Sequence, residues 1–286
     1  VTILTYAEFL KRYFDSERKI LSQNYPGLTL HRLTSEAPVD NLDDVYLPSR
    51  SHPLSLFIEK IKAGIPLEYI SGLAYFYKTI FSVNEKVLIP RSETEILVEM
   101  AVQEIQCNFK NKSCKVLDIC TGSGAIGLSL LREGGASFDL TLSDISEDAL
   151  EVARKNYFRM QFLFSATDKI EFIKSDRFLN ITGTFDLILS NPPYIKEIND
   201  KNEVHSQVLK YEPRIALFIN DDEYDKWFKE FLTGIYKHLV NGGLALMEGH
   251  ENHLEDLKEM AIEIGFKKAE IVQDYSQRNR FLRLIK

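Results

Sequence analysis

The chain has 286 residues, 44% hydrophobic and 27% charged, which is the balance of a globular protein with ample core. Its 35 basic and 42 acidic residues leave a net charge of −7, so affinity won by neutralising many phosphates, and with it direct nucleic-acid binding, is not expected. No apolar run is long enough for a bilayer, no basic-then-apolar leader opens the chain, and Cys107, Cys114 and Cys120 are too few and irregular for a disulfide scaffold or a zinc site; a cytoplasmic protein with reduced thiols, no membrane association and no metal is expected.

Tyr6, Phe9, Leu10, Tyr13 and Phe14 recur at helical spacing and predict a helix over 5–14. A second helix is predicted over 53–62, with Pro53 in its first turn, Leu54, Phe57, Ile58 and Ile61 as its apolar positions, and Gly64-Ile-Pro66 as its stop. Between them, residues 24–52 are rich in Pro, Ser and Asp and give no assignable element. Residues 69–83 are aromatic and β-branched and suggest a hairpin. The expected organisation is a helical domain over 1–68, a hairpin linker over 69–84 and a larger domain over 85–286.

In the larger part, a helix over 92–107 precedes a regular alternation. Strands are predicted over 115–118, 140–143, 169–174, 185–190, 244–248, 268–272 and 280–285, and helices over 147–158, 225–239 and 250–264, with a further helix after the first strand. Asn241-Gly242-Gly243 reads as the stop of the helix before strand 244–248, and Gly265 as the stop of the helix after it. Such alternation implies an α/β fold with a mostly parallel sheet covered on both faces. His250 and His253 lie one helical turn apart, with no partner ligands evident.

Two turns carry the chemistry. Asp118-Ile-Cys-Thr-Gly-Ser-Gly-Ala-Ile-Gly127 joins the first strand of the alternation to its helix, and its glycines let backbone N–H groups approach a ligand. Asp144 ends the second strand, 20 residues beyond Gly124, where a carboxylate can accept both ribose hydroxyls. Asp176 ends the third and could border an adenine. These features fit any adenosine-bearing cofactor, nicotinamide dinucleotides included. The fourth strand end decides between them. Asn191-Pro192-Pro193-Tyr194 follows the apolar strand 185–190, and two prolines cannot continue a ladder. The chain must leave the sheet rigidly at its carboxyl end, holding an amide beside a phenol ring. That pair suits a flat nitrogen, which needs in-plane hydrogen bonds and packing on its face.

With these residues the sequence resembles the class I S-adenosylmethionine-dependent methyltransferases, and within them the HemK/PrmC family of release factor glutamine N5-methyltransferases. The resemblance is carried by Pro66-Leu-Glu-Tyr-Ile-Ser-Gly72, Val87-Leu-Ile-Pro-Arg-Ser-Glu-Thr-Glu95, the glycine loop, Ser190-Asn-Pro-Pro-Tyr-Ile195 and Tyr211-Glu-Pro-Arg-Ile-Ala-Leu217. Cys120 stands where the family usually has its first loop glycine, Ser92 where Pro is usual, and Arg177 where some members carry an aromatic residue.

The resemblance implies a Rossmann-like methyltransferase domain with a mostly parallel seven-stranded sheet, and a small N-terminal helical domain that helps recognise the substrate. It implies that Cys120, Thr121, Gly122, Ser123, Gly124, Asp144, Asp176, Arg177 and Asn191 bind S-adenosyl-L-methionine, which leaves as S-adenosyl-L-homocysteine. Asn191, Pro192, Pro193 and Tyr194 would bind the substrate, with Asn191, Pro192 and Tyr194 as the catalytic set. The implied partners are class 1 peptide chain release factors, methylated on the glutamine of their Gly-Gly-Gln loop in the service of translation termination. The roles of Arg91, Glu93, Glu95, Glu212 and Arg214 stay open between structural pairing and a wall or flap at the mouth of the site. The alternative substrate is a nucleic-acid amino group, adenine N6 or guanine N2, flipped or single-stranded in the same pocket.

Overall fold

The computed structural model describes residues 4–46, 52–108, 113–135 and 137–286. The chain forms two compact units. One runs through Gly72 and takes in His205–Tyr211; the other comprises Leu73–Val204 and Glu212–Lys286.

In the first unit, β1 (Leu4–Thr5) leads into α1 (Tyr6–Ser16), followed by α2 (Arg18–Asn24), α3 (Leu30–Glu36), β2 (Val45–Tyr46), α4 (Pro53–Lys62) and α5 (Leu67–Ser71). Thr5 and Glu8 form a reciprocal capping box that starts α1. Pro53 opens α4. Leu10, Leu33, Leu54 and Ile61 are fully buried together and form the centre of this unit. Part of the stretch without a sequence assignment becomes α3, capped by the Thr29 side chain accepting from the N–H of Arg32. Residues 47–51 of that stretch lie outside the described residues.

The second unit begins with a hairpin, β3 (Leu73–Phe76) and β4 (Thr79–Ser82), closed by Tyr77 and Lys78 with φ of 42° and 62°. Two positive φ values in a two-residue loop match the twist of the flanking strands. Then follow α6 (Thr94–Asn108), β5 (Ser113–Ile119), α7 (Ala125–Glu133), β6 (Ser137–Asp144), α8 (Glu147–Met160), β7 (Lys169–Lys174), β8 (Phe185–Ser190) and β9 (Ile195–Lys196). After α9 (Ser206–Tyr211), which belongs to the first unit, come β10 (Phe218–Ile219), α10 (Tyr224–His238), β11 (Leu239–Glu248), α11 (Leu254–Ile264), β12 (Lys268–Gln273) and β13 (Asn279–Ile285).

Seven strands form one sheet in the order β12-β13-β11-β8-β5-β6-β7, parallel except for β13, which runs against both its neighbours. This is the mostly parallel seven-stranded sheet that the alternation and the resemblance lead one to expect. One face is covered by an apolar cluster that includes Leu97, Leu128 and Phe138, the other by a cluster that includes Phe228, Phe231 and Leu257. Buried on both faces, the central strands need no polar alternation. The pairings Ile119↔Ser143, Ile119↔Ser190 and Asp144↔Lys174 bring the carboxyl ends of four parallel strands to one edge. No helix among the described residues is long and apolar enough to cross a membrane.

Several boundaries differ from the sequence expectation, and Tyr69–Ser71, expected in the hairpin, close α5 instead. Residues 241–243 lie within the span of β11, where the pairing with β8 shifts register between Leu239 and Leu244 and Gly242 takes a φ of 79°. The glycines accommodate an irregularity inside the strand span instead of only ending α10. The helix expected from residue 250 begins at Leu254, because residues 251–253 form a turn ahead of it, and the His250 and His253 rings lie 5.0 Å apart across that turn.

Candidate active site

The glycine loop leaves β5 with three residues in left-handed backbone: Cys120 (φ 62°), Gly122 (φ 55°) and Gly124 (φ 80°). Asp118 organises it from below. Its Oδ2 accepts from the Thr121 hydroxyl at 2.6 Å and from the Gly127 N–H at 2.9 Å. Gly127 is required here, since a Cβ would stand 2.6 Å from Leu142 and 3.0 Å from the Asp118 carboxylate. Asp118 is completely buried and its Oδ1 has no protein partner, so desolvation pushes its carboxyl up to about 7, against the two hydrogen bonds that lower it.

Asp144, at the end of β6, accepts from the N–H of Gly122 and of Ser146, each at 2.9 Å. Burial raises its carboxyl above the ordinary range while these N–H groups oppose the shift. Asn156 pins the hairpin to the same loop. Its amide donates to the carbonyls of Ser82 (3.0 Å) and Ser123 (2.9 Å) and accepts from the Ser82 N–H at 2.6 Å.

A cavity of about 320 Å³ opens over these strand ends. Cys120, Thr121, Gly122, Ser123, Asp144, Asp176, Arg177, Asn191 and Pro193 all line it, so most of the residues expected to bind cofactor or substrate are brought together. Gly124, Pro192 and Tyr194 do not line it. Gly124 serves packing, because its α-carbon faces Leu128 and Ala153, where a Cβ would sit at 3.0 and 3.3 Å. Asp176 is exposed and held by Arg177, whose guanidinium donates to it at 3.0 Å and to Glu230 at 2.6 Å. The same guanidinium lies 5.7 Å from the Trp227 ring centroid. Trp227, Phe76 and Ile145 complete the apolar wall.

At the Pro-Pro turn the structure adds two residues not singled out from the sequence. Asn191 Nδ2 donates to Thr94 Oγ1 at 3.2 Å, and Thr94 Oγ1 donates to Glu248 Oε2 at 2.6 Å. Tyr194 donates its hydroxyl to the other oxygen of Glu248 at 3.0 Å. Desolvation raises the Glu248 carboxyl above the ordinary range; the Thr94 and Tyr194 hydroxyls and nearby Arg280 oppose it. A signal for Glu248 did exist, since it ends a strand with an acid, as Asp144 does. Thr94 carried none.

The flanking motifs meet through Arg91, which donates to Glu212 Oε1 at 2.6 Å. Arg214 pairs with Glu197 instead. The histidines find the partner that the sequence did not show. Asp200, His250 and His253 place potential ligand atoms within 4.8 Å of one another. Each already has a partner: His253 Nε2 lies 2.9 Å from Asp200 Oδ2, His250 Nε2 lies 3.3 Å from Glu203, and His250 Nδ1 accepts from the Asn252 N–H.

Comparison with known proteins supplies the family. A family model described as "Methyltransferase small domain" matches residues 93–215. The release factor glutamine methyltransferase of Leptospira interrogans is 41% identical over 223 residues, covering 76% of this chain and 73% of that protein. The chain belongs to the release factor glutamine methyltransferase family. A further member, from Streptococcus pneumoniae, is 32% identical over 94% of this chain and 82% of its own length. Membership makes the chain an S-adenosylmethionine-dependent methyltransferase. The fold agrees with a Thermus thermophilus 16S rRNA N2 methyltransferase solved with AdoMet and guanosine, at a TM-score of 0.52 and 16% identity over 75% of this chain and 49% of that one.

Proposed function

We propose that this family member transfers a methyl group from S-adenosylmethionine to the side-chain amide nitrogen of the glutamine in the Gly-Gly-Gln loop of class 1 release factors. The observation that carries the reading is Asn191: its side chain reaches the cavity wall from a rigid Pro-Pro turn, and among the described residues no donor reaches its Oδ1.

The residues present fit the cofactor. A Cβ on Gly122 would project into open space, leaving the loop backbone free to face a ligand, and Asp144 stands at the wall with its carboxylate held in place by two N–H groups. The loop from Cys120 to Ser123 would hold the methionine part, Asp144 the ribose, and Asp176 with Arg177 the border of the adenine. Bound there, S-adenosylmethionine supplies an electrophilic methyl on a sulfonium and departs as S-adenosylhomocysteine.

A glutamine amide nitrogen is a poor nucleophile because its lone pair is delocalised into the carbonyl. Asn191 Oδ1 accepts from its N–H and turns the lone-pair face toward the methyl, while Pro192 and Tyr194, set back from the cavity, hold the turn that carries Asn191. Each neutral hydrogen bond contributes about 0.5–1.5 kcal/mol. Orientation contributes more, since a near-attack geometry can lower a barrier by roughly 7–11 kcal/mol. As the N–C bond forms the S–C bond breaks, and one amide proton is then lost to water, so no strong base is needed.

The names of the curated relatives favour this protein amide over a nucleobase. A release factor as substrate goes with a cytoplasmic setting and with substrate recognition by the N-terminal helical unit. The test is incubation with tritiated S-adenosylmethionine and a class 1 release factor. Label is expected in the factor and absent when its loop glutamine is changed to alanine; label in RNA or DNA instead would reverse the reading.

A further inference from the structure

We propose that Thr94 and Glu248 are positioning residues that fix which end of the Asn191 amide faces the substrate. The inference rests on the function proposed above and explains how the site selects a donor of N–H bonds.

The polarity of the chain of hydrogen bonds decides the matter. Glu248 ends β11, the neighbour of β8 in the sheet, where Met247 pairs with Ser190 at the foot of the Pro-Pro turn. It is 1% exposed, and as a carboxylate it can only accept. Thr94, 3% exposed at the start of α6, has a single hydroxyl proton and directs it to Glu248 Oε2 at 2.6 Å. What remains on Thr94 Oγ1 is lone pairs. The Asn191 group 3.2 Å from that oxygen must therefore be its NH2. The opposite arrangement would set a carbonyl oxygen against a hydroxyl oxygen with no proton between them.

The consequence falls on the other end of the amide. With Nδ2 held by Thr94, Oδ1 is the free end, and it is an acceptor. A substrate nitrogen carrying N–H bonds is welcomed there, and a carbonyl oxygen, which can only accept, is refused. The Glu248 carboxylate also holds the Tyr194 hydroxyl at 3.0 Å, so one buried charge sets both side chains of the turn. Glu248 and Tyr194 do not line the cavity; Thr94 does, but its one hydroxyl proton is directed to Glu248, so its part is positioning.

Two conservative changes separate this role from packing. Thr94→Val keeps the shape and removes the hydroxyl; Thr94→Ser keeps the hydroxyl. For methylation of release factor, kcat is expected to fall about tenfold or more in Thr94→Val, with KM for the factor and cofactor affinity within about threefold of wild type, and Thr94→Ser is expected to recover most of the loss. A Thr94→Val enzyme that keeps kcat within about threefold, or a Thr94→Ser enzyme as impaired as Thr94→Val, overturns the inference. A second reading does not depend on turnover. In NMR spectra the side-chain NH2 protons of Asn191, assigned by their loss in Asn191→Ala, are expected to be protected from exchange in wild type and Thr94→Ser and released in Thr94→Val. Unprotected protons in wild type refute the polarity even if the natural substrate proves to be something else, whereas a wild type that fails to methylate release factor but keeps this pattern refutes only the substrate.

Discussion

Arg91 Nη2 donates to Glu212 Oε1 at 2.6 Å, while the backbone N–H of Ile89 donates to the other oxygen of the same carboxylate at 3.1 Å. The two motifs that flank the catalytic turn are thus one structural clasp, with its acidic member 6% exposed. Arg91→Ala would leave that carboxylate with a single N–H partner. A stability loss of about 1–3 kcal/mol is expected in urea unfolding, with Glu212→Gln milder because a neutral amide needs no counter-charge. Cofactor affinity and turnover at low temperature should change little; a large loss of either in a fully folded Arg91→Ala protein would make Arg91 part of the reaction site.

Gly122 faces open space with a φ of 55°. Gly122→Val fills the ground next to the loop backbone and strains it. Calorimetry is expected to show cofactor affinity reduced by about two orders of magnitude, and thermal unfolding a stability loss of about 1–2 kcal/mol from the left-handed backbone alone. Unchanged affinity would move the methionine part of the cofactor away from this loop.

Asp118 should leave a signature in stability against pH. Its carboxyl is raised to about 7 in the folded protein by burial, whereas an unfolded aspartate ionises near 4. Between those values the folded state binds the extra proton, so this group's contribution falls as pH rises from about 4 to about 7 and stays low above that. Urea unfolding across this window is expected to show the wild type losing stability with pH relative to Asp118→Asn, whose side chain does not titrate. Parallel curves would mean that the carboxyl is ionised throughout.

Tyr194→Phe removes one of the two hydroxyls on the Glu248 carboxylate. The oxygen left without its donor lies in the interior, and a stability loss of about 1–3 kcal/mol is expected in chemical denaturation. Methyl transfer should fall less than on loss of Asn191, because the ring remains. A loss as large as that of Asn191→Ala would assign the phenol hydroxyl a direct part in the reaction.

The sheet, the glycine loop and the aspartates at its edge were legible because each follows a local rule. Apolar runs mark buried strands, glycines mark left-handed turns, and an acid at a strand's carboxyl end has little reason to be there except a ligand or a cap. Even the substitution of Cys120 for a loop glycine is tolerated in place, at a φ of 62°. What stayed hidden depends on distance along the chain. Thr94 and Glu248 meet across 154 residues, and nothing in either neighbourhood announces the other. Asp200 reaches His253 across 53 residues in the same way. Tyr194 shows the limit from the other side: its place beside Asn191 was plain, but the buried carboxylate that draws its hydroxyl off the cavity wall was not. The helix α3 was missed because seven residues give barely two turns of periodicity, and its cap at Thr29 is the stronger sign.

The central claim is that the Asn191 carboxamide orients a glutamine amide toward the methyl donor. Single-turnover methylation of release factor by Asn191→Ala, with enzyme and cofactor saturating, tests it most directly. A fall in rate of about a hundredfold or more is expected, with cofactor binding within about tenfold of wild type. A rate within a few-fold of wild type would contradict the account.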